Sequence, residues 1–384
     1  MAYFENLMLL DKFLSYYFKQ DLMKITIIAG ARPNFMKIAP LVHAIKKAQI
    51  KGNNISFRLV HTGQHFDEKM SHTFFEELNI PLPDINLDCG GGTQAEQTAA
   101  ILIAFEKELL KNPTDLVLVV GDVTSTMACS IVAKKLNTKV AHVEAGIRSF
   151  DLTMPEEINR MVTDSITDYF FTTSEVANAN LIAQGINPAA IFFVGNVMID
   201  TLLANQLRFK KPSFFDELNL QNKNYFVLTL HRPSNVDEAD RFKAILLEII
   251  NSAKNLPIVF PIHPRTAKIF SELEISADNL IIVPPLGYLE FNYLVENAKA
   301  VITDSGGITE ETTVMGVPCI TLRDNTERPE TVLIGTNELI GTDLKAIQPA
   351  FEKLFLGNWK RGGIPQLWDG QSAIRIVECL LKLS

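Results

Sequence analysis

The chain has 384 residues, 47% of them hydrophobic, enough on a prior of about 150 residues per domain for two domains with separate buried cores. A formal net charge of -8, a pI near 5.5 and the lack of a dense Lys/Arg block argue against a nucleic-acid footprint and point to a small-molecule partner. Cys89, Cys129, Cys319 and Cys379 are scattered without C-x-x-C spacing, which argues against a disulfide framework or zinc site and fits a reducing cytoplasm.

In residues 1–22, Phe4, Leu7, Met8, Phe13, Leu14, Tyr17 and Phe18 recur at helical spacing, but Glu5, Asp11, Lys12 and Lys19 interrupt the apolar run. With no basic n-region or small-residue cleavage site, the segment reads as neither signal peptide nor membrane span. Met23-Lys24 directly precedes the first strong strand, so residues 1–22 read as an extension from an upstream start codon. Strands are expected at Ile25–Ala29, Phe57–Thr62, Leu116–Val120, Val140–Val143, Tyr169–Thr172 and Ile191–Val194, with helices such as Phe35–Ala48 and Gln94–Leu110 between them. A second series runs Tyr225–Leu230, Ile258–Pro261, Leu280–Val283, Ala300–Thr303 and Cys319–Leu322. That alternation predicts an α/β fold of two Rossmann-like doubly wound domains facing a central cleft. Their spans are expected at 23–195 and 196–364, with a C-terminal helix in 365–384, Ser372–Leu383, able to pack on either half.

In open sheets of this kind, chemistry gathers at the carboxyl ends of the strands. Those positions carry Gly30-Ala31-Arg32-Pro33-Asn34, His61-Thr62-Gly63-Gln64-His65, Gly121-Asp122, Glu144 to Arg148, His231-Arg232, His263-Pro264-Arg265 and Asp304-Ser305-Gly306-Gly307. In the last of these, an apolar strand runs into glycines that let backbone N–H groups approach a ligand, and a helix N-terminus starting there favours phosphate. It reads as a diphosphate cradle.

Gly30-Ala31-Arg32-Pro33, Lys37-Ile38-Ala39-Pro40, Gly121-Asp122, His142 to Arg148, Pro155-Glu156-Glu157-Ile158-Asn159-Arg160, Thr303 to Gly307 and Thr326-Glu327-Arg328-Pro329-Glu330 together resemble the non-hydrolysing UDP-N-acetylglucosamine 2-epimerase family. The resemblance extends from Met23 almost to the C-terminus. It implies the architecture of two-domain glycosyltransferases, a homodimer, and UDP-N-acetylglucosamine (UDP-GlcNAc) in the interdomain cleft. By resemblance Asp122, Glu144, Glu156 and His231 are catalytic, and Arg32, Lys37, Arg160, His263, Ser305, Gly306, Gly307, Glu311 and Arg328 bind substrate, with Glu311 on the ribose hydroxyls. Uracil is expected against Pro285-Leu286-Gly287-Tyr288 and Phe291.

Inverting C2 of UDP-GlcNAc requires removing a hydrogen from a carbon with no adjacent carbonyl. Transient oxidation would use NAD, yet no G-x-G-x-x-G follows a strand here, and Gly90-Gly91-Gly92 reads as a loop. No His/Asp/Glu cluster has metal-ligand spacing either, so neither cofactor nor metal is expected. What remains is elimination of UDP with loss of the C2 proton to give 2-acetamidoglucal, followed by protonation on the opposite face and return of UDP to give UDP-N-acetylmannosamine (UDP-ManNAc). That route needs acid/base groups on both sugar faces and cations for the departing UDP. Which carboxylate abstracts and which returns the proton is open at this level.

Several positions depart from the commonest bacterial pattern. Asn34 stands where many members have Glu, Thr309 replaces Gln, and His231-Arg232-Pro233-Ser234-Asn235 replaces His-Arg-Arg-Glu-Asn. Gln64 is retained from the pattern that binds a second UDP-GlcNAc as activator, but Asp67 and Gly91-Gly92 replace its other glutamine and its Arg-Gln pair, so hyperbolic substrate dependence is expected. The stretches Gly30 to Phe35 and His61 to Asp67 also resemble relatives that epimerise UDP-2,3-diacetamido-glucuronic acid. A hydrolysing epimerase, a glycosyltransferase of the same architecture and a nucleotide-sugar sensor complete the alternatives.

Overall fold

A computed structural model describes residues 22–64 and 75–383, with only the backbone of Arg32 and Pro33. The expected extension and His65 and Asp67 therefore lie outside the described residues, apart from Leu22. Two parallel sheets organise the chain. The first comprises β1 (Met23–Ala29), β2 (Ile55–His61), β3 (Ile85–Asn86), β4 (Leu116–Val120), β5 (Lys139–Val143), β6 (Tyr169–Thr172) and β7 (Ile191–Phe193), in spatial order β3-β2-β1-β4-β5-β6-β7. The second comprises β8 (Phe226–Thr229), β9 (Ile258–Pro261), β10 (Leu280–Val283), β11 (Ala300–Thr303), β12 (Cys319–Thr321) and β13 (Asn337–Leu339), ordered β10-β9-β8-β11-β12-β13.

Central strands are continuous apolar runs because helices cover both faces of a parallel sheet. All five residues of β4, Leu-Val-Leu-Val-Val, are buried. The eleven expected strands are present within two residues of their anticipated ends, and β3 and β13 are additions. Both additions are edge strands of two or three residues, too short to carry a period. The first helix starts earlier than expected, at Arg32, because Pro33 suits a helix's first turn and Asn34 secures the entry: its Oδ1 accepts from the backbone N–H groups of Gly30 at 3.0 Å and Ala31 at 2.9 Å.

The last helix, Ser372–Leu383, packs on the first sheet's half, where Ala373, Ile376, Val377 and Leu380 enter the same core as Ile38, Leu41 and Ile45 of helix Arg32–Ile50. Asp200 caps it, accepting from the N–H groups of Ser372 at 3.1 Å and Ala373 at 2.7 Å. Just before it, Trp368 is 1% exposed against Ile199 and Leu202 and donates its indole N–H to the Thr173 carbonyl at 3.1 Å. Among the described residues no helix is long and apolar enough to cross a membrane.

Trp368→Ala removes this anchor and leaves a cavity, so the denaturant midpoint should fall by the equivalent of about 3–5 kcal/mol. An unchanged midpoint in urea unfolding would refute the anchoring role.

Candidate active site

Strand order reverses once in each sheet, between β1 and β4 and between β8 and β11. Such reversals open a crevice beyond the strand ends, and here the two crevices meet across a cavity of about 370 Å³. The first half contributes Lys37, Asp122, Glu156 and Arg160, and the second His231, Ser305, Gly306, Gly307, Glu311 and Arg328. Ten of the thirteen residues expected from sequence thus line one space. The side chain of Arg32 lies outside the described residues.

Glu144, just past β5, is held in the left-handed region at φ 72°, an unusual conformation for a non-glycine residue and one that accompanies functional sites. Its carboxylate lies behind the cavity, with Oε2 2.6 Å from Lys37 Nζ and 3.2 Å from Arg328 Nη2, while the buried Oε1 has no hydrogen-bond partner. Asp122 follows Gly121, whose left-handed φ of 66° turns the chain out of β4. Arg160 holds Asp122 from helix Pro155–Ile166: its Nη2 is 2.5 Å and its Nε 3.1 Å from Asp122 Oδ2. Burial alone would raise the Asp122 carboxyl, but the Arg160, Lys37 and Arg328 charges prevail and hold it below its ordinary value.

Arg160 is itself fixed by Glu157, whose carboxylate accepts from Arg160 Nη1 at 2.9 Å, from Ser149 N–H at 3.0 Å and from Phe150 N–H at 3.2 Å. Glu156, one residue earlier, is half-buried on the cavity wall, and its side chain makes no hydrogen bond or ion pair with another described residue. A second buried support lies under Gly121: His142 Nε2 is 2.8 Å from the Gly121 carbonyl and its Nδ1 2.6 Å from Asp164, which also pairs with Arg148 at 2.6 Å.

On the facing half, buried Asp304 orients His231. It lies 2.8 Å from His231 Nδ1, and it accepts from Arg232 N–H at 2.9 Å and from Asn235 Nδ2 at 3.1 Å. Ser305 then opens helix Gly306–Met315. A side chain at Gly307 would meet nothing nearer than 3.9 Å, whereas one at Gly306 would come within 2.8 Å of Glu327. The fifth and sixth residues of that helix, Glu310 and Glu311, are buried. Glu311 accepts from Tyr288 Oη at 2.9 Å, and Tyr288, Leu286 and Phe291 form the apolar wall of the cavity. Burial, reinforced by Glu310, pushes the Glu311 carboxyl to about 7.

The halves are joined through Arg328. Its Nε bonds Glu310 Oε1 and its Nη2 reaches Glu144, while Asn196, in the segment between the sheets, donates to Glu310 Oε1 at 2.8 Å. Burial, supported by Glu144, pushes Glu310 to about 7 against the opposing Arg328 charge. A parallel link runs from Arg160 to Glu327 at 3.9 Å and on to Arg323 at 2.7 Å. Burial would raise Glu327, yet Arg323, Arg160 and Arg328 hold it well below the carboxylate range. Glu157, Glu310 and Glu327 sit in stretches legible in the sequence, but no sequence signal distinguishes them as the supports of the site.

His263 is not on this cavity. It caps helix Pro264–Ser271, accepting from Arg265 N–H at 3.3 Å, and lines an adjoining space that shares His231. Gln64 is buried, accepting from Ser125 Oγ at 2.8 Å, whereas Gly91 and Gly92 lie in an exposed loop.

Residues 47–381 match the family model described as UDP-N-acetylglucosamine 2-epimerase. A Methanocaldococcus jannaschii protein named UDP-N-acetylglucosamine 2-epimerase is 44% identical over 93% of this chain and 99% of its own length. Its crystal structure in complex with UDP-GlcNAc and UDP matches at a TM-score of 0.85, covering 94% of this chain and all of that one. A Pseudomonas aeruginosa protein named UDP-2,3-diacetamido-2,3-dideoxy-D-glucuronate 2-epimerase is 40% identical, covering 94% of this chain and all of its own length. The fold alone is shared with a lipopolysaccharide outer core galactosyltransferase, at a TM-score of 0.55 and 14% identity.

The raised carboxyls give a signed pH dependence. A group lifted from 4.5 to about 7 favours the folded state while protonated, so its contribution is fully present below about 4.5 and is lost as pH rises to 7. Asp122 and Glu327 act oppositely: their contribution is present above the ordinary carboxylate range and is lost as pH falls through their lowered folded values. Glu311→Gln should therefore lose part of the stability decline between pH 5 and 7, on the order of 2 kcal/mol. Urea midpoints measured across that window test it, and a slope identical to that of the parent would contradict the assignment.

Proposed function

Because the chain belongs to the UDP-N-acetylglucosamine 2-epimerase family, we propose that it interconverts UDP-GlcNAc and UDP-ManNAc by elimination and re-addition of UDP. The observation that carries this reading is one cavity holding two carboxylates in contrasting settings, Asp122 locked to Arg160 and Glu156 without a protein partner, facing the Ser305-Gly306-Gly307 helix start. The family is non-hydrolysing, which favours return of UDP over capture by water.

The diphosphate would rest on the N-terminus of helix Gly306–Met315, where unpaired N–H groups and the helix dipole favour negative charge, with Lys37, Arg328 and His231 close by. Tyr288 and Phe291 supply apolar surface for the base, and Glu311 an acceptor for the ribose hydroxyls. One carboxylate takes the C2 proton as the C1–O bond to UDP breaks, giving the glycal. A protonated carboxyl on the other face then gives its proton to C2, UDP re-adds at C1, and both carboxyls regain their starting states by proton exchange with solvent. Glu156, whose side chain has no protein partner, faces the cavity as the second acid/base group; Asp122, held ionised, stabilises positive charge and accepts. Glu144 acts from behind, positioning Lys37 and Arg328. Residues 23–195 and 196–364 form the two domains in this reading, and the enzyme works as a cytoplasmic homodimer. Gln64 is already committed to Ser125, and substrate dependence should be hyperbolic.

A second reading, epimerisation of UDP-2,3-diacetamido-glucuronic acid, is favoured by the 40% identity to the Pseudomonas relative. Proton NMR in D₂O with UDP-GlcNAc, without added NAD or metal, separates the two. Deuterium at C2 of UDP-ManNAc supports the first reading. No exchange from folded protein, with turnover of the diacetamido-uronate, would replace it by the second. Asp122→Asn and Glu156→Gln should each lower kcat by roughly 10²- to 10⁴-fold while the protein stays folded, and activity within twofold of the parent in either would remove that residue from the chemistry.

A further inference from the structure

Glu310 lines the cavity at its base, and every element packed around it presents an ionisable or polar group. Arg328 and Glu330 come from the segment after β12, Glu144 from the end of β5, Lys37 from helix Arg32–Ile50, Glu311 from its own helix, and Asn196 from the connection between the sheets. That leaves four carboxyl groups against two cations, all buried. Both cations are already committed, Lys37 to Glu144 and Arg328 to Glu144 and Glu310, and both line the cavity. A diphosphate entering there draws on these two charges together with Arg160 and Arg232, and adds its own negative charge beside Glu310. Whatever carboxylate then loses its partner stays in a low-dielectric setting beside added negative charge, where the protonated form is favoured.

We propose that a diphosphate ligand binds together with a proton from solvent and that this proton lodges on Glu310. The inference rests on the nucleotide-sugar reading above. Glu310 is the acceptor because only its Oε1 is bonded, to both Arg328 and Asn196, while Oε2 makes no hydrogen bond to another described residue. Glu144, by contrast, does not line the cavity and is held by two cations. The carboxyl of Glu310, already raised to about 7 by burial and Glu144, needs only a modest further push to be protonated at neutral pH. The step is a simple balance: carboxylate plus solvent proton gives carboxylic acid on binding, and the proton returns to solvent when the ligand leaves.

The test is isothermal titration of the full chain with UDP-GlcNAc, whose diphosphate is esterified at both ends and has no titration of its own near neutrality. In phosphate-free buffers of different ionisation enthalpy at pH 7.5, the observed enthalpy should vary linearly, with uptake of up to about one proton per ligand. Kd should weaken by up to about tenfold per pH unit as pH rises from 7.5 to 8.5. Glu310→Gln should bind with that buffer dependence nearly abolished, and Glu330→Gln, whose carboxyl does not line the cavity, should retain it. Binding with buffer-independent heat overturns the inference and leaves the nucleotide-sugar reading standing. Proton uptake that survives in Glu310→Gln, or vanishes in Glu330→Gln, overturns the assignment to Glu310. No binding of UDP-GlcNAc at all overturns the reading and the inference together. Should Glu310→Gln fail to fold, the buffer series and the pH dependence of Kd on the parent protein decide whether a proton is taken up.

Discussion

A buried guanidinium cannot stand unpaired, and Arg328, 5% exposed, satisfies that constraint by bonding a carboxylate from each half of the molecule. Glu310 comes from the helix behind the phosphate-favouring turn, and Glu144 from the strand end of the opposite sheet. Removing either acid would strand a charge in a low-dielectric interior, so the two sheets are held in register by electrostatics beside the cavity. Arg rather than Lys suits this position, because a planar fork can serve two acceptors in different directions at once.

Burial by itself does not set the character of the site's acids. Asp122 and Glu327 face two or more guanidinium or ammonium groups and remain ionised despite desolvation. Glu310 and Glu311 are at least as deep, but Glu311 has a phenol and an amide for company and Glu310 shares its one arginine with Glu144. Within one cavity the protein therefore keeps some carboxyls charged at neutral pH and others poised to hold a proton, an arrangement suited to a ligand whose leaving group changes charge as it departs.

Much of this was legible in the sequence. Apolar runs such as Leu116–Val120 announce central parallel strands, and the carboxyl-end rule gathers Asp122, His231 and Ser305 from distant parts of the chain. What escaped has physical reasons. β3 and β13 are too short for a period to register. The links from Asn196 to Glu310 and from Arg328 to Glu144 join residues 114 and 184 positions apart, a separation on which local patterning is silent. His263 ends a strand as expected, but its ring turns to cap the following helix. Asn34, a departure from the commonest family pattern, acts as that cap's counterpart, joining the first turn to Val120 through its amide.

The return of helix Ser372–Leu383 to the first sheet makes the second half an insertion: the chain leaves at Gly195 and comes back by Leu367, whose carbonyl lies against Gly195. Arg375 ties the two crossings together, donating to the carbonyls of Val194 at 3.0 Å and Leu367 at 3.4 Å. During synthesis the first sheet is complete long before the helix that covers it emerges. The part of helix Arg32–Ile50 that meets helix Ser372–Leu383 must wait, uncovered, while the whole second half is made, so a core begun by the first strand closes only after the chain has returned.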